Sequence, residues 1–174
     1  MQFGEYLEPG YSPKPEQLFM DDDVYGKALD AIVFTCVDIA LTKQGKVLLG
    51  KRTRDPQPDW WVVGGRMRAG ETFAGSAQRL LKNELGLGMS ADRLSPFTVF
   101  STAWNRRAFA PVENGTHSVS VLMTAEISDE EAEKLVFNDE YSDHQWMTLD
   151  EIIDNTTLHP ALGQVAQALK EKTI

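Results

Sequence analysis

The stretch GGRMRAGETFAGSAQRLLKNELGLG, residues 64 to 88, decides the fold of this chain. Its apolar residues recur every four positions from Phe73 to Leu85, which places them along one side of a helix. Gly86 then supplies a residue that favours the end of a helix. The pattern predicts a helix between Glu71 and Leu85 that follows closely after a pair of glycines.

The segments on either side of this helix alternate between strand-like and loop-like composition. Apolar, β-branched runs predict a hairpin over residues 31–52 that turns at Lys43–Gly45, and two further strands over residues 96–104 and 117–127. The other expected elements are the short buried strand WWVVGG, the exposed loop RDPQPD before it, an acidic helix at 128–136, a strand running into a helix at 144–152 and a C-terminal helix at 159–172. Strands mixed with a few helices predict an α/β or α+β sandwich.

Residues 1–30 differ in composition from residues 31–174. Their three prolines and the acidic run Asp21–Asp23 favour extended chain and short turns over a long helix. The segment also carries more apolar side chains than a solvated tail would: Phe3, Tyr6, Leu7, Tyr11, Leu18, Phe19 and Tyr25. We expect an N-terminal extension that packs on a single domain formed by residues 31–174, or on a second subunit.

Charge and cysteine content argue against several classes of protein. The 174 residues include 26 acidic and 17 basic side chains, so the formal net charge of -9 disfavours generic nucleic-acid binding. The single cysteine, Cys36, has no partner for a disulfide or a thiolate zinc cluster, which is typical of a reducing compartment. No secretion signal is visible, and the most apolar run, Ala31–Leu41, is too short for a membrane span. A cytoplasmic protein without membrane association is the expectation.

The residues of the 64–88 stretch also suit a metal-bound diphosphate. A glycine pair after a strand allows the backbone to approach a ligand closely. Glu84 offers a hard oxygen ligand for Mg²⁺, and Arg66, Arg68 and Arg79 could hold phosphate oxygens in bidentate fashion. The alternative is an ordinary surface helix with charges on its solvent face, and composition alone favours that alternative.

The spacing of the motif favours the functional interpretation. Gly65, Glu71, Arg79 and the run ELGL at 84–87 resemble the Nudix box, the loop-helix-loop of hydrolases that act on nucleoside diphosphates linked to another group. The segments KVLLGKR and QWMTLDE are similar to the same family, so the resemblance extends over most of the chain. It implies an α/β/α sandwich with a mixed sheet between helices, a small nucleotide substrate, and Mg²⁺ as cofactor with Mn²⁺ as a substitute.

The motif also departs from the family pattern. Leu80 and Asn83 stand where the family carries glutamates, whereas Glu84 remains. Because each Mg²⁺ needs oxygen ligands and charge neutralisation, the loss of two carboxylates leaves room for about one ion. The chain is then either an altered enzyme or one that has lost catalysis.

A similar loss occurs in one Nudix subgroup, the GDP-mannose mannosyl hydrolases, which the segments LLGKRTRDPQPDWWVVGGRM, QRLLKNELGL and GTHSVSV also resemble. Those enzymes displace the nucleoside diphosphate from the sugar C1 with water. The resemblance implies that Glu84 and the Gly65 carbonyl hold Mg²⁺, and Asp38 matches, within one position, an aspartate that helps to bind the metal. The catalytic and substrate-binding side chains that it places on the leaving diphosphate are Arg52, Arg66, Arg79 and, for binding alone, His117.

The general base has more than one candidate. Counting back from Trp146, the subgroup's metal-binding glutamine and its histidine base fall on Glu140 and Tyr141. Tyrosine is a poor base near neutral pH because its ordinary pKa is about 10. Either His144 acts after a shift of the loop, or Glu140 acts as metal ligand or base, which is the preferred interpretation. A carboxylate here also suits attack at phosphorus, as in ordinary Nudix enzymes.

Several other residues have a structural interpretation beside a functional one. Adjacent tryptophans in a strand point to opposite faces, so at most one of Trp60 and Trp61 stacks on a nucleobase. Arg106 and Arg107 lie in a predicted loop and are expected to be solvated. His159 is expected at the N-terminus of the last helix.

Together these observations predict a function with two alternatives. We expect a Mg²⁺-dependent hydrolase that cleaves a nucleotide sugar such as GDP-mannose to nucleoside diphosphate and sugar. One alternative is a pyrophosphohydrolase that attacks phosphorus in nucleoside triphosphates or other nucleoside diphosphate derivatives. The other is a catalytically weak domain that binds a nucleotide as a sensor. By analogy with the subgroup, a homodimer is expected.

Overall fold

The computed structural model describes residues 3–13 and 20–172, which form a seven-stranded mixed sheet between layers of helices. This is the predicted α/β/α sandwich. The strands are β1 Phe34–Lys43, β2 Lys46–Arg52, β3 Trp60–Trp61, β4 Val63–Arg66, β5 Ser95–Trp104, β6 Thr116–Glu126 and β7 Tyr141–Thr148. The helices are α1 Asp22–Ala31, α2 Phe73–Leu85, α3 Asp129–Glu133, α4 Leu149–Asp154 and α5 Pro160–Lys172.

Strand β1 organises the sheet. It turns through Gln44 and Gly45, whose φ angles are 48° and 75°, and pairs antiparallel with β2, which confirms the predicted hairpin. It also pairs in parallel with β6 and antiparallel with β4. The order along the sheet is β3-β2-β1-β6-β5, and β7 pairs with β2. The segment WWVVGG therefore contributes two short strands, β3 and β4, rather than one.

Two apolar layers flank the sheet. On one face, α2 packs over alternate residues of β1 that include Val37 and Ile39. On the other face, α4 and α5 cover Ala40 of β1 and Leu49 of β2. In the described part of the chain, no helix combines the length and the apolar character that crossing a membrane requires.

Helix α2 confirms the helix that the sequence motif predicts. It begins at Phe73 rather than at Glu71, because Thr72 caps it: the Thr72 hydroxyl accepts a hydrogen bond from the Gly75 N–H at 3.0 Å. Gly86 ends the helix in a left-handed conformation with φ of 65°, which a glycine adopts without strain. The helix thus holds the charged residues of the motif in a fixed position beside β4.

The N-terminal extension contains a helix where the composition favours extended chain. The extended chain predicted for residues 1–30 was wrong over residues 22–30, since α1 occupies them. The prolines all precede the helix, and the acidic residues occupy its first turn, where their charge is favourable to the helix dipole. Upstream of α1, the Glu5 carboxylate accepts a hydrogen bond from the Phe73 N–H at 2.5 Å. Leu18 and Phe19, for which packing is expected, lie outside the described residues.

Candidate active site

A cleft with a volume of about 500 Å³ lies where α2, β4 and the loop before β7 meet. We call it the polar cleft, and its lining includes Arg52, Gly65, Arg66, Arg68, Arg79, Leu80, Asn83, Glu84 and Glu140. The structure therefore brings together the arginines that the sequence analysis assigns to the leaving group and the residues that it assigns to the metal. Arg52 and Glu140 are distant in sequence and meet here because β2, which ends at Arg52, pairs with β7, which begins just after Glu140.

Glu84 is the most enclosed carboxylate of the polar cleft, with only 6% of the residue exposed. One of its oxygens accepts a hydrogen bond from the Tyr141 hydroxyl at 2.5 Å. The other carboxylate oxygen lies beside Gly65, at 3.9 Å from the position that a Cβ atom on this glycine would occupy. Burial, with a contribution from the Glu140 charge, raises the pKa of Glu84 to about 7. A carboxylate that is held away from solvent in this way gains most from a bound cation.

Tyr141 acts as a hydrogen-bond donor in this arrangement. Its side chain is buried, and burial together with the charge of Glu84 raises the pKa of Tyr141 above its ordinary value. The phenol therefore keeps its proton and orients Glu84. This agrees with the expectation that tyrosine is a poor base at this position.

Arg79 is fixed by a two-pronged ion pair with Glu71. Its Nε bonds one carboxylate oxygen, and its Nη2 bonds the other at 2.8 Å and the Arg66 carbonyl at 2.9 Å. Burial acts to raise the pKa of Glu71, but the hydrogen bonds from Arg79, the Arg68 N–H and Ser76 together with the Arg79 charge outweigh it and leave the pKa below its ordinary value. Glu71 also accepts from the Arg68 N–H at 2.8 Å, so the pair holds the loop between β4 and α2 against the cleft.

Arg52 and Arg66 present positive charge to the cleft. The Nε of Arg52 is buried and has no hydrogen-bond partner within the described residues, and its Nη2 lies 3.9 Å from the Glu140 carboxylate. The guanidinium of Arg66 lies 4.6 Å from the centre of the Tyr25 ring, in a cation–π contact. Because buried polar groups are nearly always hydrogen-bonded, the unpaired Arg52 nitrogen indicates a site that receives an anion.

The oxygen donors of the cleft suit a single divalent cation. Glu84 and Glu140 supply two carboxylates and Gly65 a backbone carbonyl, a set that fits one Mg²⁺ that keeps several waters. Leu80 and Asn83 line the cleft without adding a carboxylate. Among residues 3–13 and 20–172, no three or more His, Cys, Asp or Glu side chains are grouped so as to hold a metal by themselves.

A second cavity, with a volume of about 200 Å³, opens from the polar cleft. We call it the inner cavity, and its lining includes Tyr25, Leu29, Phe34, Cys36, Asp38, Asp55, Gln57, Trp61, Thr102, Trp104, Phe109, Ser118 and Ser120. The residues that line both spaces mark the passage between them: Tyr25, Arg52, Gly64, Gly65, Arg66 and Phe109. Aromatic rings with a few grouped polar side chains are typical of a ligand pocket.

Asp38 lies in the inner cavity and is not part of the polar cleft lining. Its carboxylate accepts hydrogen bonds from the Ser120 hydroxyl and the Trp61 indole, and burial raises the pKa of Asp38 to about 6. Gly64 is needed beside it, because a Cβ at that position would lie 2.1 Å from Asp38 Oδ1. The structure thus does not bring Asp38 together with Glu84, the predicted metal ligand.

Helix α1 and the loop 105–115 form the outer wall of the inner cavity, and Arg107 joins them. The predicted solvation of this arginine was wrong, since only 1% of Arg107 is exposed. Its guanidinium donates to the Asp30 carboxylate at 2.7 Å and to the carbonyls of Phe109 at 2.9 Å and Gly115 at 3.2 Å. A loop arginine can be buried because carbonyls of the same loop replace the water around it.

The two predicted histidines lie outside both cavities. The Nε2 of His117 is 2.9 Å from Ser101 Oγ on the neighbouring strand. Because strand residues alternate in direction, His117 faces away from the inner cavity, which Ser118 lines. His144 is exposed on β7 and stacks on the ring of Phe137, with centres 4.3 Å apart. The structure therefore does not bring either histidine to the arginines of the polar cleft.

The remaining residues of the sequence analysis take structural positions. Trp61 is buried in the inner cavity wall, with its ring edge-on to Trp104 at 5.6 Å, whereas Trp60 is partly exposed. His159 accepts a backbone N–H at the start of α5, as predicted for a helix N-terminus. Arg106 is solvent-exposed, also as predicted.

Sequence reasoning missed three residues of the cavities. Tyr25 and Phe109 meet edge-to-face at the passage, with ring centres 4.6 Å apart. The four-residue spacing of Tyr25 and Leu29 was a helical signal that could have indicated α1. Gln57 lies in the loop RDPQPD, predicted to be exposed, yet only 5% of it is exposed. A proline-rich loop gives no sequence signal for such burial.

Comparisons with known proteins agree with this architecture. The family model of the NUDIX domain matches residues 32–169, so α1 lies just before the matched region. The low-salt glycan biosynthesis protein Agl8 of Haloferax volcanii is 31% identical over 81 residues, which cover 45% of this chain and 52% of that protein. The chain thus spans about half the length of this curated relative.

Two solved structures illustrate the similarity of fold. The MutT protein from Methanosarcina mazei Go1 has a TM-score of 0.65 at 13% identity, and the match covers 81% of this chain and 95% of that chain. The NUDIX domain of Shewanella oneidensis NrtR, complexed with ADP ribose, has a TM-score of 0.62 at 20% identity and covers 89% of this chain and 100% of that chain. At these identities the similarity concerns the fold alone.

Proposed function

Since the chain belongs to the Nudix hydrolase family, we propose that it hydrolyses a nucleoside diphosphate linked to a sugar, such as GDP-mannose, with Mg²⁺ as cofactor. The products are the nucleoside diphosphate and the free sugar. The observation that carries this proposal is the pair of joined cavities, one rich in arginine and one lined by aromatic rings. The partial similarity to a glycan biosynthesis protein supports a sugar-linked substrate.

The inner cavity has the composition of a sugar site. Its aromatic rings can pack against the C–H faces of a sugar, while Asp38, Ser120 and Gln57 offer polar groups to hydroxyls. The charges of this cavity are mixed, because the carboxylates of Asp38 and Asp55 share its lining with the arginines Arg52 and Arg66 at the passage. A polar but uncharged group attached to the diphosphate, such as a sugar, fits this lining.

The polar cleft suits a departing diphosphate. Negative charge grows on that group as the bond to the sugar breaks, and Arg52 and Arg66 supply positive charge at the passage between the cavities. Glu84, Glu140 and the Gly65 carbonyl would hold Mg²⁺, which neutralises charge on the diphosphate. Loss of one such contact should lower the rate about 10- to 1000-fold.

Attack at phosphorus is a second candidate reaction, and the position of Glu140 favours it. This carboxylate lines the polar cleft, 3.9 Å from Arg52, rather than the inner cavity. A water that Glu140 activates would be closer to the phosphorus atoms of the diphosphate than to the sugar carbon. The exposure of His144 and the hydrogen bond of Tyr141 to Glu84 support Glu140 as the base of this second reaction, in which it would act instead of binding Mg²⁺.

Turnover of a substrate panel tests the proposal. The protein is incubated with Mg²⁺ and with GDP-sugars, ADP-sugars and nucleoside triphosphates, and the expected result is Mg²⁺-dependent release of nucleoside diphosphate and free sugar. Glu84→Gln should keep the circular dichroism spectrum and lose this turnover, whereas the exposed Glu133→Gln serves as a matched control and should keep it. Full activity of Glu84→Gln would remove Glu84 as a metal ligand.

Two further measurements define the alternatives. Tight nucleotide binding without turnover of any substrate would favour the sensor role over both reactions. Light scattering measures the oligomeric state, for which the subgroup resemblance predicts a homodimer.

A further inference from the structure

Gln57 is a largely buried polar residue whose side chain forms no hydrogen bond within the described part of the chain. Only 5% of the residue is exposed, and it lines the inner cavity. Its amide forms no hydrogen bond with another described residue, and its atoms are not sealed from solvent, since Arg52 Nε is the one sealed side-chain atom without a partner in the described part of the chain. The amide is therefore free to bind a molecule in the inner cavity.

The loop around Gln57 is held in place from several sides. Pro56 and Pro58 flank it and restrict the backbone to few conformations. The loop is closed by a hydrogen bond from the Arg52 N–H to the Asp59 carbonyl at 3.0 Å. A buried side chain on such a loop is presented to a ligand at little further cost in conformational entropy.

The cavity offers a second polar group of different character. The carboxylate of Asp38 accepts hydrogen bonds from Ser120 and Trp61, which fix its orientation, and an ionised carboxylate can only accept. The amide of Gln57 both donates and accepts. A ligand that satisfies both residues must carry groups that donate and accept, as neighbouring hydroxyls of a sugar do.

We propose that Gln57 is a specificity-determining residue of the inner cavity and that its amide binds a hydroxyl of the sugar. The inference rests on the proposed function and extends it, because it names the residue that distinguishes sugars by their hydroxyl pattern. A site built to bond a hydroxyl rejects the analogue that lacks it, since the bound analogue would cover the amide without offering it a hydrogen-bond partner.

The test compares the best nucleotide hexose substrate of the wild-type protein with its deoxy analogues, each of which lacks one sugar hydroxyl. Gln57→Leu should lower kcat/KM for the parent substrate about 10- to 100-fold and lower it by less than about twofold for one deoxy analogue. The inhibition constant of the nucleoside diphosphate product should stay within about twofold, because the polar cleft is unchanged. Gln57→Met, which keeps the length of the side chain, should behave in the same way.

Gln164→Leu on the exposed side of α5 is the control and should change none of these values. If Gln57→Leu and Gln57→Met fold but lower kcat/KM equally for the parent and every deoxy analogue, or do not lower it, the inference is wrong and the proposed function stands. If the wild-type protein turns over no nucleotide sugar, the proposed function is wrong and the inference falls with it.

Discussion

Arg107→Ala should destabilise the protein strongly, although the sequence places this residue in a polar loop. The side chain is almost fully buried and donates to the carbonyls of Phe109, Ala110 and Gly115 at 2.9, 3.4 and 3.2 Å. Each of these hydrogen bonds contributes about 0.5–1.5 kcal/mol, so their loss costs about 2–4 kcal/mol. The cavity left by the side chain raises the total to about 3–5 kcal/mol. The ion pair itself adds little, since 39% of the Asp30 side chain is exposed to solvent.

Thermal and urea unfolding measure this loss. For a domain of this size, 1 kcal/mol corresponds to about 2–4 °C, so the melting temperature should fall by roughly 10 °C. Arg106→Ala is the matched control, because this neighbouring arginine is exposed and forms only a surface ion pair with Asp55 at 3.6 Å. Hydrogen exchange should show the loss first in α1 and in the loop 105–115. A stability for Arg107→Ala within about 1 kcal/mol of the control would refute the reasoning.

Two other predictions concern buried acids. Tyr141→Phe removes the hydrogen-bond donor to Glu84. In a metal titration, the Mg²⁺ concentration for half-maximal activity should rise about 10-fold, while the circular dichroism spectrum stays unchanged. An unchanged titration would contradict the role of the hydroxyl. Burial raises the pKa of Asp38 from 3.8 to about 6, so the native state binds its proton more tightly than the unfolded chain does. The free energy of unfolding should therefore fall by about 2.5 kcal/mol as the pH rises from 4 to 7. Asp38→Asn should remove this part of the fall in urea titrations at each pH, and identical pH profiles would contradict it.

The central layer of the fold could be predicted from local patterns. The four-residue spacing in α2 and the turn at Gln44 and Gly45 are signals that lie within one short segment, so the helix and the hairpin follow from sequence. Helix α1 could not be predicted in this way, because nearby prolines suggested extended chain and its inner side chains contact residues far along the sequence, such as Phe109.

The candidate site also has one part that the sequence could predict and one part that it could not. The arginines and Glu84 lie on or beside a motif whose spacing is readable, and the structure brings them together in the polar cleft. The inner cavity depends on side chains from several distant segments, among them Tyr25, Asp38, Gln57 and Phe109. Its existence depends on tertiary packing, which leaves no local pattern in the sequence.

The bond that breaks is the most direct test of the account. Products formed with Mg²⁺ from a nucleotide sugar in ¹⁸O-labelled water are analysed by phosphorus NMR. The joined cavities predict nucleoside diphosphate without the label, together with free sugar that carries it. Nucleoside monophosphate and sugar phosphate, with ¹⁸O on the phosphorus of either product, would contradict hydrolysis at the sugar carbon and would support Glu140 as the base of a reaction at phosphorus.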